Sequence, residues 1–156
     1  MMAKRVSVFS LIAAAMLTLA ASALAQRAPS AAELAAYTGL HALAATGDSA
    51  GIARLARADN LEARDGNGRT PLHVATFQKQ RDAVRALIRA GAQTQALDAQ
   101  KYDAVTIAAV ADDVETLRVL LDAGASAKLV TSVYDGTALI AAAHLGHDEE
   151  IGRAHV

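Results

Sequence analysis

The chain contains no cysteine and no tryptophan, and only three tyrosines and two phenylalanines. Without cysteine no disulfide can staple the fold, whatever the redox state of its compartment. A lipid anchor attached to a lipobox cysteine is excluded for the same reason. So few aromatics in a chain rich in alanine and leucine point to thin helices packed closely. An excess of positive charge is missing too: 15 basic side chains face 16 acidic ones, a net charge of −1. No basic stripe is left to hold nucleic acid, so none is expected as a partner. Also absent are a Gly-rich phosphate loop, a nucleophile elbow and a dinucleotide fingerprint.

What is present begins with an export signal. Lys4 and Arg5 form a short positive region, and residues 6–21 form an apolar run broken only by Ser7, Ser10 and Thr18. Ala23-Leu24-Ala25 then supplies the small-x-small pattern read by a signal peptidase. This order predicts a secretory signal peptide over residues 1–25, cleaved after Ala25. The run is short for a bilayer span, which needs ~20 residues. Cleavage removes Lys4 and Arg5 and leaves 13 basic residues against 16 acidic ones. The mature chain is expected to begin at Gln26, to be about one small domain long, and to have no membrane attachment. A Gram-negative periplasm is the expected location; full secretion uses the same kind of signal.

The strongest internal signal is the segment 60–73. Gly66 and Gly68 are expected to supply the positive φ of a tight turn. Thr70 suits a helix N-cap, and Pro71 suits the first helical position, where its missing N–H is no loss. Asp65, Gly68, Thr70, Pro71, Leu72 and His73 match D-x-x-G-x-T-P-L-H, the turn of the ankyrin repeat, which this segment resembles. The resemblance implies that His73 is structural, bonding the threonine hydroxyl and backbone nearby.

The other copies follow by spacing. Gly91 and Gly124 lie 33 residues apart, each as a C-cap after an apolar face at i, i+3, i+4: Val84, Leu87, Ile88 and Leu117, Leu120, Leu121. The first copy runs through Thr38, Gly39, Leu40 and His41, with Gly39 in place of proline and Ala58-Asp59 in place of Gly-Ala. Such erosion suits a terminal repeat. Residues 26–37 form a lead-in whose end is a good helix former. In the third copy Asp103 can still cap the first helix, and Asp113 the second. The fourth runs from Gly136 to His147, with a one-residue insertion placed in the turn 131–135. The repeats are therefore drawn at 38–64, 65–97, 98–130 and 131–150, the last incomplete. Ile151 falls where Val84 and Leu117 fall, but Ala154-His155 stands where an apolar pair is due, and Gly152 costs ~1 kcal/mol relative to alanine inside a helix. Residues 151–156 are expected to be a non-native tail; a natural short terminus is the alternative.

Candidate chemistry is sparse. His41 and His73 belong to the turn motif. His144 and His147 stand three apart, but His147 is the histidine of the usual Gly-His turn, and zinc takes three or four ligands. Asp65 and Asn67 lack the further ligands of a calcium loop. Asp112-Asp113 and Asp148-Glu149-Glu150 lie at second-helix starts, where acids favour the dipole. Neither catalysis nor a cofactor is expected.

The resemblance implies an all-α fold: an ankyrin-repeat solenoid of stacked helix-turn-helix units joined by hairpin loops. In that family partners meet the turn tips and the inner helix. Carried onto this chain, those positions are Asn67, Arg69, Phe77, Gln78, Gln100, Tyr102, Val110, Tyr134, Asp135, His144 and Leu145. Phe77, Tyr102 and Tyr134 are the expected aromatic anchors, with packing between turns equally open for Tyr134. Arg69 and Arg118 are expected to be solvated. The narrower likeness, to small exported ankyrin proteins of Gram-negative bacteria, implies a module that holds or protects a partner protein, such as an oxidative-stress enzyme of the catalase kind. An immunity or inhibitor protein that blocks a toxin or hydrolase is the alternative, and a metal-dependent enzyme is a third, disfavoured reading.

Overall fold

The computed structural model describes residues 26–128 and 131. Among them are seven helices: α1 (Ala31–Ala36), α2 (Gly39–Thr46), α3 (Ser49–Leu55), α4 (Pro71–Phe77), α5 (Arg81–Arg89), α6 (Ala104–Val110) and α7 (Val114–Asp122). From α2 onward they form three pairs. The first helices α2, α4 and α6 stack in one row, and the second helices α3, α5 and α7 in another. This is the expected all-α solenoid. The fourth copy, the tail and residues 1–25 lie outside the described residues, Thr131 excepted.

Small side chains let the rows approach closely. Ala44, Ala75 and Ala108 are buried on the first helices, and Ile52, Val84 and Leu117 are buried at matching places on the second. A fully buried aliphatic side chain of that size stabilises by roughly 1.5–3 kcal/mol. Helix α5 shows how the pattern divides: Ala83, Val84 and Leu87 face the core, while Arg81, Asp82, Arg85 and Arg89 are exposed. That split is the amphipathic stripe read from the spacing.

The caps fall where expected. The Thr70 hydroxyl accepts from the His73 amide (3.5 Å), with Pro71 opening α4. Asp103 caps α6 through the Thr106 amide (2.8 Å), and Asp113 caps α7 through the Thr116 amide (3.3 Å) and hydroxyl (2.5 Å). Gly91 (φ 101°) and Gly124 (φ 85°) end the second helices in left-handed conformation. Thr38 makes no side-chain cap bond, in keeping with the erosion of the first copy.

Between repeats the chain forms tight hairpins. The Asp65 amide donates to the Arg69 carbonyl (3.0 Å), and the Asp98 amide to the Tyr102 carbonyl (2.9 Å). Each aspartate also accepts from the amides two and four residues on: Asn67 and Arg69 for Asp65 (2.8 and 2.9 Å), Gln100 and Tyr102 for Asp98 (2.8 and 2.9 Å). A bond from the Ala99 amide to the Asn67 carbonyl (3.0 Å) ties one hairpin to the next. One expectation is corrected here. Gly68 has positive φ (71°) but Gly66 does not, and a side chain on Gly68 would also meet the neighbouring hairpin.

Candidate protein-binding surface

The position just before each first-helix cap is occupied by Tyr37, Arg69 and Tyr102 in successive copies. Their backbone serves the stack. The carbonyl of Arg69 meets His41 Nε2 (3.0 Å), and the carbonyl of Tyr102 meets His73 Nε2 (3.1 Å). Their side chains turn inward. Arg69 is 1% exposed and Tyr102 is 6% exposed.

Two sequence expectations are overturned by this burial. Arg69 is not a solvated cation, and Tyr102 is not an exposed anchor. Both share one register, and the lead-in covers the Arg69 side chain there. Burying a guanidinium costs several kcal/mol unless it is paired. Arg69 is paired twice: Nε donates to Asp65 (2.8 Å) and Nη2 to Glu33. Asp65 also accepts from the Tyr37 hydroxyl (2.6 Å). Burial pushes the Asp65 carboxyl up, but the Tyr37 hydroxyl and the amides of Arg69 and Asn67 outweigh it and hold it below its ordinary value.

The partner Glu33 was absent from the sequence expectations. Its signature is short-range: Ser30 and Glu33 form a capping box on α1, with Ser30 N–H to Glu33 at 2.7 Å and Glu33 N–H to the Ser30 hydroxyl at 3.3 Å. The Ser30 amide and hydroxyl, and then Arg69, bring the Glu33 pKa down to about 2. The S-x-x-E spacing could have located the cap. Its pairing with Arg69, 36 residues away, carries no local signal.

The other expected contact residues fall into three groups. Asn67 and Gln100, at the tips of the two hairpins, are half-buried and are bonded by the lead-in: Asn67 Nδ2 donates to Glu33 (2.5 Å), and Gln100 Oε1 accepts from the Arg27 amide (3.1 Å). Phe77 and Gln78 at the end of α4, and Val110 at the end of α6, are half-buried. Tyr134, Asp135, His144 and Leu145 lie outside the described residues. Arg118 is exposed on α7. Among the described residues no three His, Asp or Glu side chains converge as metal ligands would.

His73 stands in the bonds that the turn resemblance implies. Its Nδ1 is 2.8 Å from the Thr70 hydroxyl and 3.0 Å from the Thr70 amide, and the ring is buried.

Comparison with known proteins agrees with this architecture. A family model described as ankyrin repeats, in three copies, matches residues 11–98. Protein PhlB of Serratia liquefaciens is similar at 35% identity over 107 residues, 69% of this chain and 47% of that protein. The chain thus spans about half the length of that curated relative. The hairpins, the stacked helix pairs, the histidine ties and a match across more than half of the chain agree: this chain belongs to the ankyrin-repeat family.

Proposed function

We propose that this chain is an exported, non-catalytic interaction module that holds or protects a partner protein, and that the ends of its first helices are part of the contact surface. Ankyrin repeats imply protein–protein interaction, and the family typically has no catalytic role. One observation carries the choice of surface. Phe77 and Val110 end successive stacked helices, 33 residues apart, and each is half-buried where residues 71–76 and 104–109 are all buried. Two apolar side chains presented side by side on a rigid stack suit the anchor of a protein interface. Export rests on the order of positive, apolar and small residues over 1–25, which suits delivery to the periplasm.

The test is capture from periplasmic extract by the tagged mature chain, beside a Phe77→Ser/Val110→Ser variant. These two positions are chosen because Tyr102→Ala would empty a buried site and confuse folding with binding. A partner recovered by the parent and lost by a variant with unchanged circular dichroism supports the reading. Equal recovery by both would remove this surface, and recovery of nothing would remove the binding reading. Cell fractionation with mass determination of the N-terminus checks export, which predicts a periplasmic product beginning at Gln26.

A further inference from the structure

Residues 26–36 of the lead-in meet the hairpins through polar contacts, whereas Tyr37 packs against the hydrophobic core and stays with the stack. The Arg27 amide donates to Gln100 Oε1 (3.1 Å), and the Arg27 carbonyl accepts from Arg69 Nη1 (3.4 Å). Glu33 accepts from Asn67 Nδ2 (2.5 Å) and from Arg69. The segment therefore touches the hairpins of two successive repeats, at three of the positions where ankyrin proteins meet their partners. Yet α1 has no buried residue, and Pro29 is the only buried residue between 26 and 36. A helix of six residues has little stability of its own. An element with so little buried apolar area belongs to the part of a structure that opens first.

Opening it leaves the helix rows intact, since the buried runs 71–76 and 104–109 lie on α4 and α6. It uncovers the Nη side of a guanidinium whose Nε remains on Asp65. An occupant without a carboxylate would leave Arg69 and Asn67 donors unpaired, which disfavours it. The backbone bonds at Gln100 and Arg69 specify the rest: the occupant offers a main-chain N–H and a main-chain carbonyl, as a peptide does and a small acid does not.

We propose that residues 27–36 are an internal stand-in for a partner, and that the site they cover binds an acidic peptide segment whose carboxylate replaces Glu33 on Asn67 and Arg69. This rests on the reading of the chain as a protein-binding module and assigns the chemistry of one of its sites. While seated, the lead-in lowers the apparent affinity for the partner by the fraction of time it covers the site.

The experiment uses the full mature chain and, as probe, a fluorescent synthetic peptide with the sequence of residues 26–37. Glu33→Gln in the chain weakens the internal occupant, so the acidic peptide should bind this variant about tenfold more tightly than it binds the parent. Ser30→Ala, which removes the α1 cap and leaves Glu33 in place, should shift affinity in the same direction. A probe peptide carrying Glu33→Gln should not bind. Hydrogen exchange should quicken in residues 27–36 of both variants and stay slow in α4 and α6. Equal binding of the acidic and Gln probes, or no binding by a variant whose α4 and α6 amides remain protected, would overturn the proposal. So would loss of that protection in both variants, which would make the lead-in a structural cap. Partner capture that still depends on Phe77 and Val110 would in each of those cases leave the wider binding reading standing.

Discussion

The imidazole of His73 joins one repeat to the next: its Nε2 lies 3.1 Å from the carbonyl of Tyr102, while its Nδ1 accepts from the Thr70 amide at 3.0 Å. Because Nδ1 accepts, the ring proton must sit on Nε2, and the neutral tautomer is the one the stack needs. Burial pushes the His73 pKa below its ordinary value. His41 makes the equivalent tie to the Arg69 carbonyl (3.0 Å). At the same place in the third copy, the Thr106 hydroxyl meets that of Thr131 (2.5 Å).

His73→Ala should therefore lower unfolding stability by about 2–4 kcal/mol, through a lost buried hydrogen bond and a cavity. The pH dependence follows from the direction of the shift. The unfolded histidine takes up a proton as pH falls through 6.5, and the folded one resists it. Parent stability should fall as pH drops from 6.5 toward 5, and this slope should be shallower in His73→Ala. Urea melts across that range check it, and parallel slopes would refute the neutral-ring account.

Two neighbouring glycines should behave differently. A Cβ on Gly68 would lie 2.8 Å from the Ala99 amide nitrogen, on a backbone with φ 71°, whereas a Cβ on Gly66 would meet nothing within 4 Å. Gly68→Ala should cost more than ~1 kcal/mol, through left-handed strain and the clash with the next hairpin. Gly66→Ala should be close to neutral. Thermal melts of the pair decide it.

The turn between paired helices is left-handed in all three described copies, at Gly47 (φ 79°), Lys79 (φ 54°) and Asp112 (φ 50°). Lysine is the least suited of the three to that region. Lys79→Gly should raise stability by ~1 kcal/mol, less the weak contact of its ammonium with the Ala111 carbonyl (3.4 Å). A lower melting temperature for Lys79→Gly would show that this contact outweighs the strain.

Asp103 occupies the cap position held by Thr70 one repeat earlier, and it is 1% exposed. Burial raises its pKa, and the nearby Asp98 charge adds to the rise. An acid whose folded pKa lies above its unfolded value destabilises the fold as pH rises from 3.8 through the folded pKa. Asp103→Thr keeps a capping hydroxyl and removes that penalty. The variant should melt higher than the parent at pH 7, and the difference should shrink as pH falls toward 4. A difference that does not change with pH would assign the effect to packing instead.

Much of the helical scaffold is legible in the sequence because its signals are short-range. Thr70-Pro71, Asp103 and Asp113 begin helices for reasons contained within four residues, and Gly91 and Gly124 end them likewise. The spacing of Val84, Leu87 and Ile88 marks a buried face before any partner helix is known. The candidate surface is legible only in part. Phe77, Gln78 and Val110 are half-buried because their helices end there, but Arg69 and Tyr102 read as exposed and are not.

The sequence alone therefore determined the repeat, its helices and their apolar faces, since local backbone preference and a period of 33 residues suffice for those. Only the tertiary structure decided which polar residues are covered. Arg69 is buried because Glu33, on a lead-in helix 36 residues away, folds back to meet it. A side chain is crowded out at Gly68 and not at Gly66 because Ala99 of the next hairpin approaches only Gly68. Both are contacts between distant segments, and their energy depends on distances that exist only once the repeats have stacked.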